Sequence, residues 1–271
     1  MTIAVVLPGM NGTGALLEEF MAALAPEFDA TVVCYPTNLP LGYDDLESIV
    51  RHALPSDAVY LLVAESFSGP LAIRVAATCP PGLIGVALCA TFAETSRYRF
   101  PRFSPAMRLF PFRLLPTALL MLPMMGTWSS RRWLKRIDHE LRVVASDVIA
   151  KRISAAARID VSGSLGAIEC QVLYLRAAYD RLINRDSGDL ILERVPHAVL
   201  EAMPGPHSCC KLYHCNAPRQ SRNISGSAPH RPQSLNDSRC VSRRQATPPQ
   251  WHRRQRLAPG SPVVVRRNGN W

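Results

Sequence analysis

A serine, an aspartate and a histidine, far apart in the 271-residue chain, are the side chains best suited to chemistry. Ser66 lies in the turn AESFSG, Asp180 follows the apolar stretch QVLYLR, and His207 ends the turn PGPH. A serine hydroxyl is a poor nucleophile unless a histidine takes its proton, and a carboxylate that orients this histidine completes the set. These residue types therefore predict attack by Ser66 on an acyl carbon.

The residues around Ser66 indicate how its hydroxyl is presented. Residues 59–63 are a continuous apolar run, as in a buried strand, and a helical pattern follows the turn. A sharp strand-to-helix turn with serine at its apex is the nucleophile elbow, G-x-S-x-G. Ala64 and Ser68 replace the two glycines, and both are small enough for the close backbone approach. The alternative interpretation is that Ser66 is a helix N-cap.

Other candidate acids and bases fit structural roles better. Asp180 is expected in a loop beyond the carboxyl end of a strand, where an acid can orient a histidine. Asp186 and Asp189 have the positions of N-cap and first-turn residues of the next helix. The remaining histidines of the body fall in helices or at a strand start: His52, His139 and His197.

Apolar strand patterns alternate with helical patterns along the chain. Strands are predicted at residues 2–7, 30–35, 59–63, 83–90, 171–176 and 198–202, and helices at 15–24, 43–53 and 129–158. This alternation predicts an α/β fold, with a mostly parallel sheet of about six strands and helices on both faces. Residues 1–92 and 168–207 would form this core.

The glycine-rich loop PGMNGTG lies between the first strand and the first helix. It has neither G-x-G-x-x-G nor G-x-x-x-x-G-K-[ST], so it does not indicate a nucleotide site. In a serine hydrolase such a loop supplies a backbone N–H group to the oxyanion, which requires open backbone.

Residues 93–167 interrupt the alternation with prolines and with many Phe, Leu and Met residues. We interpret them as a helical lid whose apolar side chains line an acyl pocket. The alternative is that most of these side chains only pack the lid onto the body. A basic cluster is expected on a solvated helix face: Arg131, Arg132, Lys135 and Arg136.

The formal net charge of +10 is concentrated at one end of the chain. Residues 208–271 hold 12 of the 31 Lys and Arg residues but one of the 21 acidic residues, Asp237, so the remainder is nearly neutral. The chain has no C-x-x-C pair, the cysteine spacing that would indicate a metal site. Residues 1–8 resemble a strand more than a signal peptide, and no apolar run is long enough to span a membrane, so we expect a cytoplasmic protein.

The body resembles the α/β-hydrolase superfamily, and looks most like its compact bacterial members of esterase type. LPGMNGTG, AESFSGP and YLRAAYD…PGPH carry this resemblance, in the order Ser66, Asp180, His207 that the fold uses. It implies that Ser66 attacks, His207 transfers the proton and Asp180 orients the imidazole. It also implies that the backbone N–H groups of Met10 and Phe67 bind the oxyanion, without metal or organic cofactor.

The expected function is a serine hydrolase of carboxylic esters or thioesters with an apolar acyl part. An acyltransferase would use the same triad, with an alcohol in place of water. A non-catalytic protein on this fold is the third possibility. Neither the substrate-binding residues nor the oligomeric state can be inferred from the sequence.

Residues 208–271 do not fit this fold, which requires an amphipathic helix after the histidine. They are rich in Arg, Pro, Ser and Gln without apolar periodicity, so we expect them to be disordered. A nucleic-acid-binding or membrane-binding basic tail is one interpretation. Aromatic residues for base stacking are scarce in it, however, so we do not expect nucleic acid as a partner.

A shifted reading frame is the interpretation of the tail that we favour. One choice of codons for residues 208–223, read in another frame, encodes LLQALPLQCAAAIAE, an apolar and alanine-rich helix. The gene sequence would decide this. Loss of a closing helix predicts a chain that is poorly soluble or weakly active.

Overall fold

A seven-stranded sheet forms the centre of the fold in a computed structural model that describes residues 1–95 and 130–207 and the backbone of residues 265–267. The strands are Thr2–Leu7 (β1), Phe28–Val33 (β2), Tyr60–Glu65 (β3), Leu83–Cys89 (β4), Gln171–Ala177 (β5), Val199–Met203 (β6) and Val265–Arg267 (β7). Their order is β6-β5-β4-β3-β1-β2-β7, and the pairs from β6 through to β2 are all parallel. The predicted α/β class with a mostly parallel sheet is confirmed.

Helices cover both faces of this sheet. They are Glu18–Leu24 (α1), Tyr43–Ala53 (α2), Gly69–Ala76 (α3), Arg131–Val143 (α4), Ser146–Ala156 (α5) and Arg185–Arg194 (α6). The sheet has a hydrophobic core on each face, because successive side chains of a strand point to opposite faces. In β1, Val5 and Leu7 pack on one face with α2 and α3, and Ala4 and Val6 pack on the other face with α1. Strands buried on both faces are typical of parallel sheets.

The strand order reverses between β1 and β3. The chain goes from β1 outward to β2, then returns past β1 to β3 and continues in the other direction to β6. Leu7 at the end of β1 lies opposite Ala64 in β3, so the glycine-rich loop begins beside the turn that contains Ser66. Ligands of open α/β sheets bind in the crevice at such a reversal.

Several predicted elements have different bounds in the structure, and for two of them the hydrogen bonds show the reason. β2 ends at Val33, two residues before the predicted end, because Tyr35 donates its N–H to Gly12 O (2.8 Å) in the glycine-rich loop. The helix predicted over residues 129–158 is two helices, α4 and α5. The break at Val144 and Ala145 is extended backbone, and Ala145 N–H bonds to Thr37 O (2.8 Å).

Part of the proposed lid and nearly all of the tail lie outside the described residues. Residues 96–129, which contain most of the Phe- and Met-rich segment, and residues 208–264 and 268–271 are among those not described. Within the tail, Val265–Arg267 forms β7, antiparallel to β2, which the composition of the tail did not predict. No helix in the described part of the chain is long and apolar enough to cross a membrane.

Candidate active site

The turn after β3 holds Ser66 in an unusual backbone conformation. A 3₁₀ turn, Ser66–Ser68, joins β3 to α3, and Ser66 has a φ of 49°, in the left-handed region. Such a conformation costs about 1–3 kcal/mol in a residue with a side chain, and persists only where the surroundings enforce it. Here the Thr91 hydroxyl and the Gly69 N–H both donate to Ser66 O. Ser66 is not the N-cap of α3, a position that Ser68 occupies.

Ser66, His207 and Asp180 form one continuous chain of hydrogen bonds. Ser66 Oγ lies 2.8 Å from His207 Nε2, and His207 Nδ1 lies 2.8 Å from Asp180 Oδ2. The side chains of His207 and Asp180 are 1% and 7% exposed, so both bonds are largely shielded from water. The hydroxyl, imidazole and carboxylate meet at the carboxyl ends of the parallel strands.

Backbone pairing brings the loops of Asp180 and His207 together. Beyond the ends of β5 and β6, Ala178 N–H donates to Met203 O (2.9 Å) and Tyr179 N–H donates to Gly205 O (3.0 Å). Gly205 has a φ of 140°, which favours glycine at the turn before His207. The two loops therefore continue the parallel pairing of their strands up to the site.

Ser68 explains why a glycine of the elbow motif is absent. Its hydroxyl donates to Pro8 O at the start of the glycine-rich loop, and it lies 2.7 Å from the hydroxyl of Tyr35. Burial raises the pKa of Tyr35 because it disfavours the phenolate, and the hydrogen bond with Ser68 offsets this only in part. The serine side chain thus ties the elbow to β1 and to the end of β2.

The residues expected to bind an oxyanion belong to the elbow and to the glycine-rich loop. Phe67 directly follows Ser66, its carbonyl accepts from Tyr43 Oη (2.9 Å), and its ring stacks on Tyr43 with centroids 4.8 Å apart. Met10 lies in the glycine-rich loop, where Gly12 N–H donates to Gly9 O (3.0 Å). Gly9 N–H lies 3.3 Å from the buried Glu65 carboxylate, just before Ser66.

The rival acids and bases have other partners. Asp189 forms an ion pair with Arg176, and Asp186 accepts from Asn184 Nδ2 (2.9 Å). His52 and His197 bond to backbone carbonyls, and His139 is exposed. No group of three His, Cys, Asp or Glu side chains suited to a metal ion occurs among the described residues.

Sequence reasoning missed two charged residues that contact the glycine-rich loop. Arg152 of α5 is fully buried, and Glu140 of α4 is 8% exposed and bonds to Thr13. The sequence carried a signal for both, since each occupies a buried stripe of its helix: Val148, Arg152 and Ala156 in α5, and Trp133, Ile137 and Glu140 in α4. The basic cluster on α4 is also not wholly solvated, because Arg136 binds Glu18 (2.6 Å).

Comparison with known proteins finds similarity in structure. No protein-family model matches the sequence, and no curated protein matches it. Among solved structures, a hydrolase from Pseudomonas aeruginosa is 18% identical with a TM-score of 0.63, over 76% of this chain and 83% of that chain.

Two further solved structures have the same degree of similarity. An enol-lactonase from Burkholderia xenovorans is 17% identical with a TM-score of 0.58, over 76% of this chain and 85% of its own. An esterase from Exiguobacterium antarcticum is 14% identical with a TM-score of 0.61, over 74% and 83% of the two chains. Together with the parallel sheet and its reversal at β1 and β3, these similarities show that the chain has the α/β-hydrolase fold.

Proposed function

We propose that this protein is a serine hydrolase that cleaves carboxylic esters through an acyl-enzyme. The observation that carries the proposal is the hydrogen-bonded chain from Ser66 Oγ through the imidazole of His207 to the carboxylate of Asp180, with both distances at 2.8 Å. A hydroxyl within reach of a buried imidazole, itself oriented by an acid, is the arrangement that activates a serine.

Each residue then has a defined role in the reaction. Ser66 Oγ attacks the ester carbonyl while His207 Nε2 accepts its proton, and the imidazolium next to Asp180 returns that proton to the leaving alcohol. Water then attacks the acyl-enzyme, again with His207 as base, and the acid product leaves with Ser66 regenerated. Asp180 stays ionised and keeps the Nδ1 proton of His207 directed towards itself.

The backbone N–H groups of Phe67 and Met10 are proposed to bind the oxyanion. Phe67 immediately follows the nucleophile, and the pairing of β1 with β3 brings the loop of Met10 next to the elbow. Each such donor is typically worth about 2.7–4 kcal/mol of the barrier. No cofactor is needed for this chemistry.

A small ester with an apolar acyl part is the proposed substrate class. The solved structures with this fold that are named above include an esterase and an enol-lactonase. The apolar acyl part is inferred from the Phe- and Met-rich sequence of residues 96–129.

The test is covalent labelling of the purified protein with a fluorophosphonate probe, together with turnover of 4-nitrophenyl esters. We expect labelling and turnover in the wild type and neither in Ser66→Ala. Ser164→Ala is the matched control, because Ser164 lies in a separate 3₁₀ turn, Ser162–Ala167, and should leave both unchanged. Circular dichroism verifies that each protein is folded. A folded wild type without labelling, or equal labelling of Ser66→Ala, would refute the proposal.

A further inference from the structure

Arg152 is a buried cation for which the described residues offer no carboxylate partner. The side chain extends from α5 and is fully buried. Its guanidinium lies 5.6 Å from the ring centroid of Tyr35, and its Nε has no hydrogen-bond acceptor among the described residues. Burying a charge in this way costs free energy, and an apolar side chain of similar volume often serves packing at least as well.

The guanidinium instead holds the backbone of the glycine-rich loop. Arg152 Nη1 donates to Met10 O (2.8 Å) and Asn11 O (2.9 Å), and Nη2 donates to Pro36 O (2.8 Å). Two of these three carbonyls belong to consecutive residues of the loop. The third belongs to Pro36, which follows β2, so Arg152 connects the glycine-rich loop to the segment after β2.

These contacts bear on the direction of the Met10 N–H. Because a trans peptide is planar, the Met10 N–H points opposite to the Gly9 carbonyl, which Gly12 N–H holds at 3.0 Å. Arg152 binds the carbonyls of Met10 and Asn11, the two central residues of the turn from Gly9 to Gly12, and so restrains the same turn. Gly12 has a φ of 74°, and a Cβ atom added there would lie 2.7 Å from Arg152 Nη1, so glycine is required for this close approach.

We propose that Arg152 is a positioning residue for the oxyanion site: from α5, its guanidinium holds the carbonyls of Met10 and Asn11 and so directs the Met10 N–H towards the acyl oxygen. This inference rests on the proposed serine hydrolase function. It assigns to the segment between β4 and β5 a role in catalysis through the loop, in addition to any role in covering the site.

Two further observations concern the charge of Arg152 and the support of this loop by the neighbouring helix. Burial lowers the pKa of Arg152 to about 10, which still leaves the guanidinium protonated at neutral pH. Its positive charge is therefore present beside the peptides of the loop, where it favours a developing negative charge. The neighbouring helix holds the same loop, since Glu140 of α4 accepts from Thr13, which in turn accepts from Asn11 Nδ2 (2.8 Å).

The test compares an ester with its thionoester, in which sulfur replaces the carbonyl oxygen. Sulfur is a weak hydrogen-bond acceptor, so the ratio of kcat/KM for ester to thionoester reports on the oxyanion donors. For Arg152→Met we expect kcat on the ester to fall by about 10–100-fold with KM changed by less than about threefold, and this ratio to fall by a similar factor. Arg158→Met, an exposed arginine just after α5, should match the wild type.

Arg152→Lys is the second variant, because it keeps the positive charge but cannot reach all three carbonyls in the same geometry. We expect it to fold and to give a ratio between those of the wild type and Arg152→Met. A general loss of structure would lower ester and thionoester turnover in proportion and leave the ratio unchanged. An unchanged ratio in a folded Arg152 variant overturns the inference.

The wild type provides the measurement if neither variant folds. Reaction of Ser66 with the fluorophosphonate expels fluoride and leaves a strongly polarised P=O oxygen in the oxyanion site, which should shift the NMR signals of the Met10 amide and the Arg152 guanidinium. Phosphonylated wild type with neither signal shifted contradicts the inference. A wild type without esterase turnover instead refutes the proposed function, so the two failures are distinguishable.

Discussion

The two carboxylate oxygens of Asp180 have different partners, and only one of them faces His207. Oδ2 accepts from His207 Nδ1 at 2.8 Å. Oδ1 accepts two backbone N–H groups, from Leu182 and Ile183, each at 2.8 Å. The loop therefore fixes the rotation of the carboxylate, and with it the direction in which the imidazole must donate.

Asp180→Asn is predicted to move the imidazole proton of His207 from Nδ1 to Nε2 without changing the fold. The amide oxygen must face the N–H groups of Leu182 and Ile183, so the amide NH₂ faces His207 Nδ1. The imidazole proton then moves to Nε2, which can no longer accept the proton of Ser66. By analogy with serine proteases, we expect kcat to fall about 10⁴-fold with a nearly unchanged melting temperature. Asp29→Asn, at an exposed position of β2, is the control; equal kcat in both variants would contradict this mechanism.

Gly69→Ala is predicted to destabilise the elbow through a steric clash. A Cβ atom at this position would lie 1.9 Å from Thr91 Oγ1 and 2.6 Å from Thr91 Cγ2. Because Thr91 also holds the carbonyl of Ser66, the clash should lower both stability and activity. Overpacking of this kind costs about 1–3 kcal/mol or more, measurable by urea unfolding. Gly163→Ala is matched, since its Cβ would meet no atom within 4 Å, and an equal loss there would contradict the explanation.

Ser68→Ala is predicted to cost about 1–3 kcal/mol, because it leaves Pro8 O and the Tyr35 hydroxyl without their shared buried partner. Tyr35→Phe removes one end of the same network and leaves the bond between Ser68 and Pro8. In unfolding experiments the double variant should therefore lose less than the sum of the single variants. Strict additivity of the two losses would show that the network does not act as a unit.

The sequence was sufficient to predict the parallel sheet, the elbow and the loops that hold the candidate site residues. Period and composition identify such elements because a strand buried on both faces, as β3 is, must be continuously apolar. The contacts of Arg152 and Thr91 could not be predicted in this way. They depend on which segments meet at the reversal of strand order, where residues far apart in the chain, such as Met10 and Arg152, become neighbours. The position of Arg152 on an apolar stripe was visible, but its acceptors were not.

Tyr60→Phe is predicted to stabilise the protein, with an effect that grows at alkaline pH. The Tyr60 hydroxyl is buried in β3 and has no hydrogen-bond partner among the described residues, so its removal should raise stability by about 1 kcal/mol at neutral pH. Burial raises the pKa of Tyr60 to about 12, from 10.0. Between these values the unfolded chain loses the phenol proton first, so the stability of the wild type falls as pH rises. Tyr60→Phe lacks this contribution.

Urea unfolding of both proteins at neutral pH and at about pH 11 measures this effect. Tyr35 and Tyr174, whose pKa values are also raised by burial, are present in both proteins, so their ionisation cancels in the comparison. We expect the difference in free energy of unfolding to favour Tyr60→Phe more strongly at the higher pH. A difference that does not grow with pH would mean that the phenol is more accessible than its burial indicates.

A helix supplied after His207 is predicted to stabilise the chain by covering β6. Val199 and Leu200 are 55% and 38% exposed, and successive residues of a strand point to opposite faces, so this edge strand is open on both sides. We expect replacement of residues 208–223 by LLQALPLQCAAAIAE to raise the melting temperature and reduce aggregation. Three or four apolar side chains would be buried, each worth about 1.5–3 kcal/mol.

A Gly/Ser segment of the same length is the control for this replacement, because it removes the natural sequence without supplying an apolar face. A higher melting temperature for the apolar replacement alone would indicate that the fold requires a helix here, as the shifted reading frame predicts. Equal melting temperatures for the two replacements would contradict that hypothesis. The exposure of Val199 and Leu200 would then be a property of the native edge strand, since an added apolar helix would have found no favourable surface on β6.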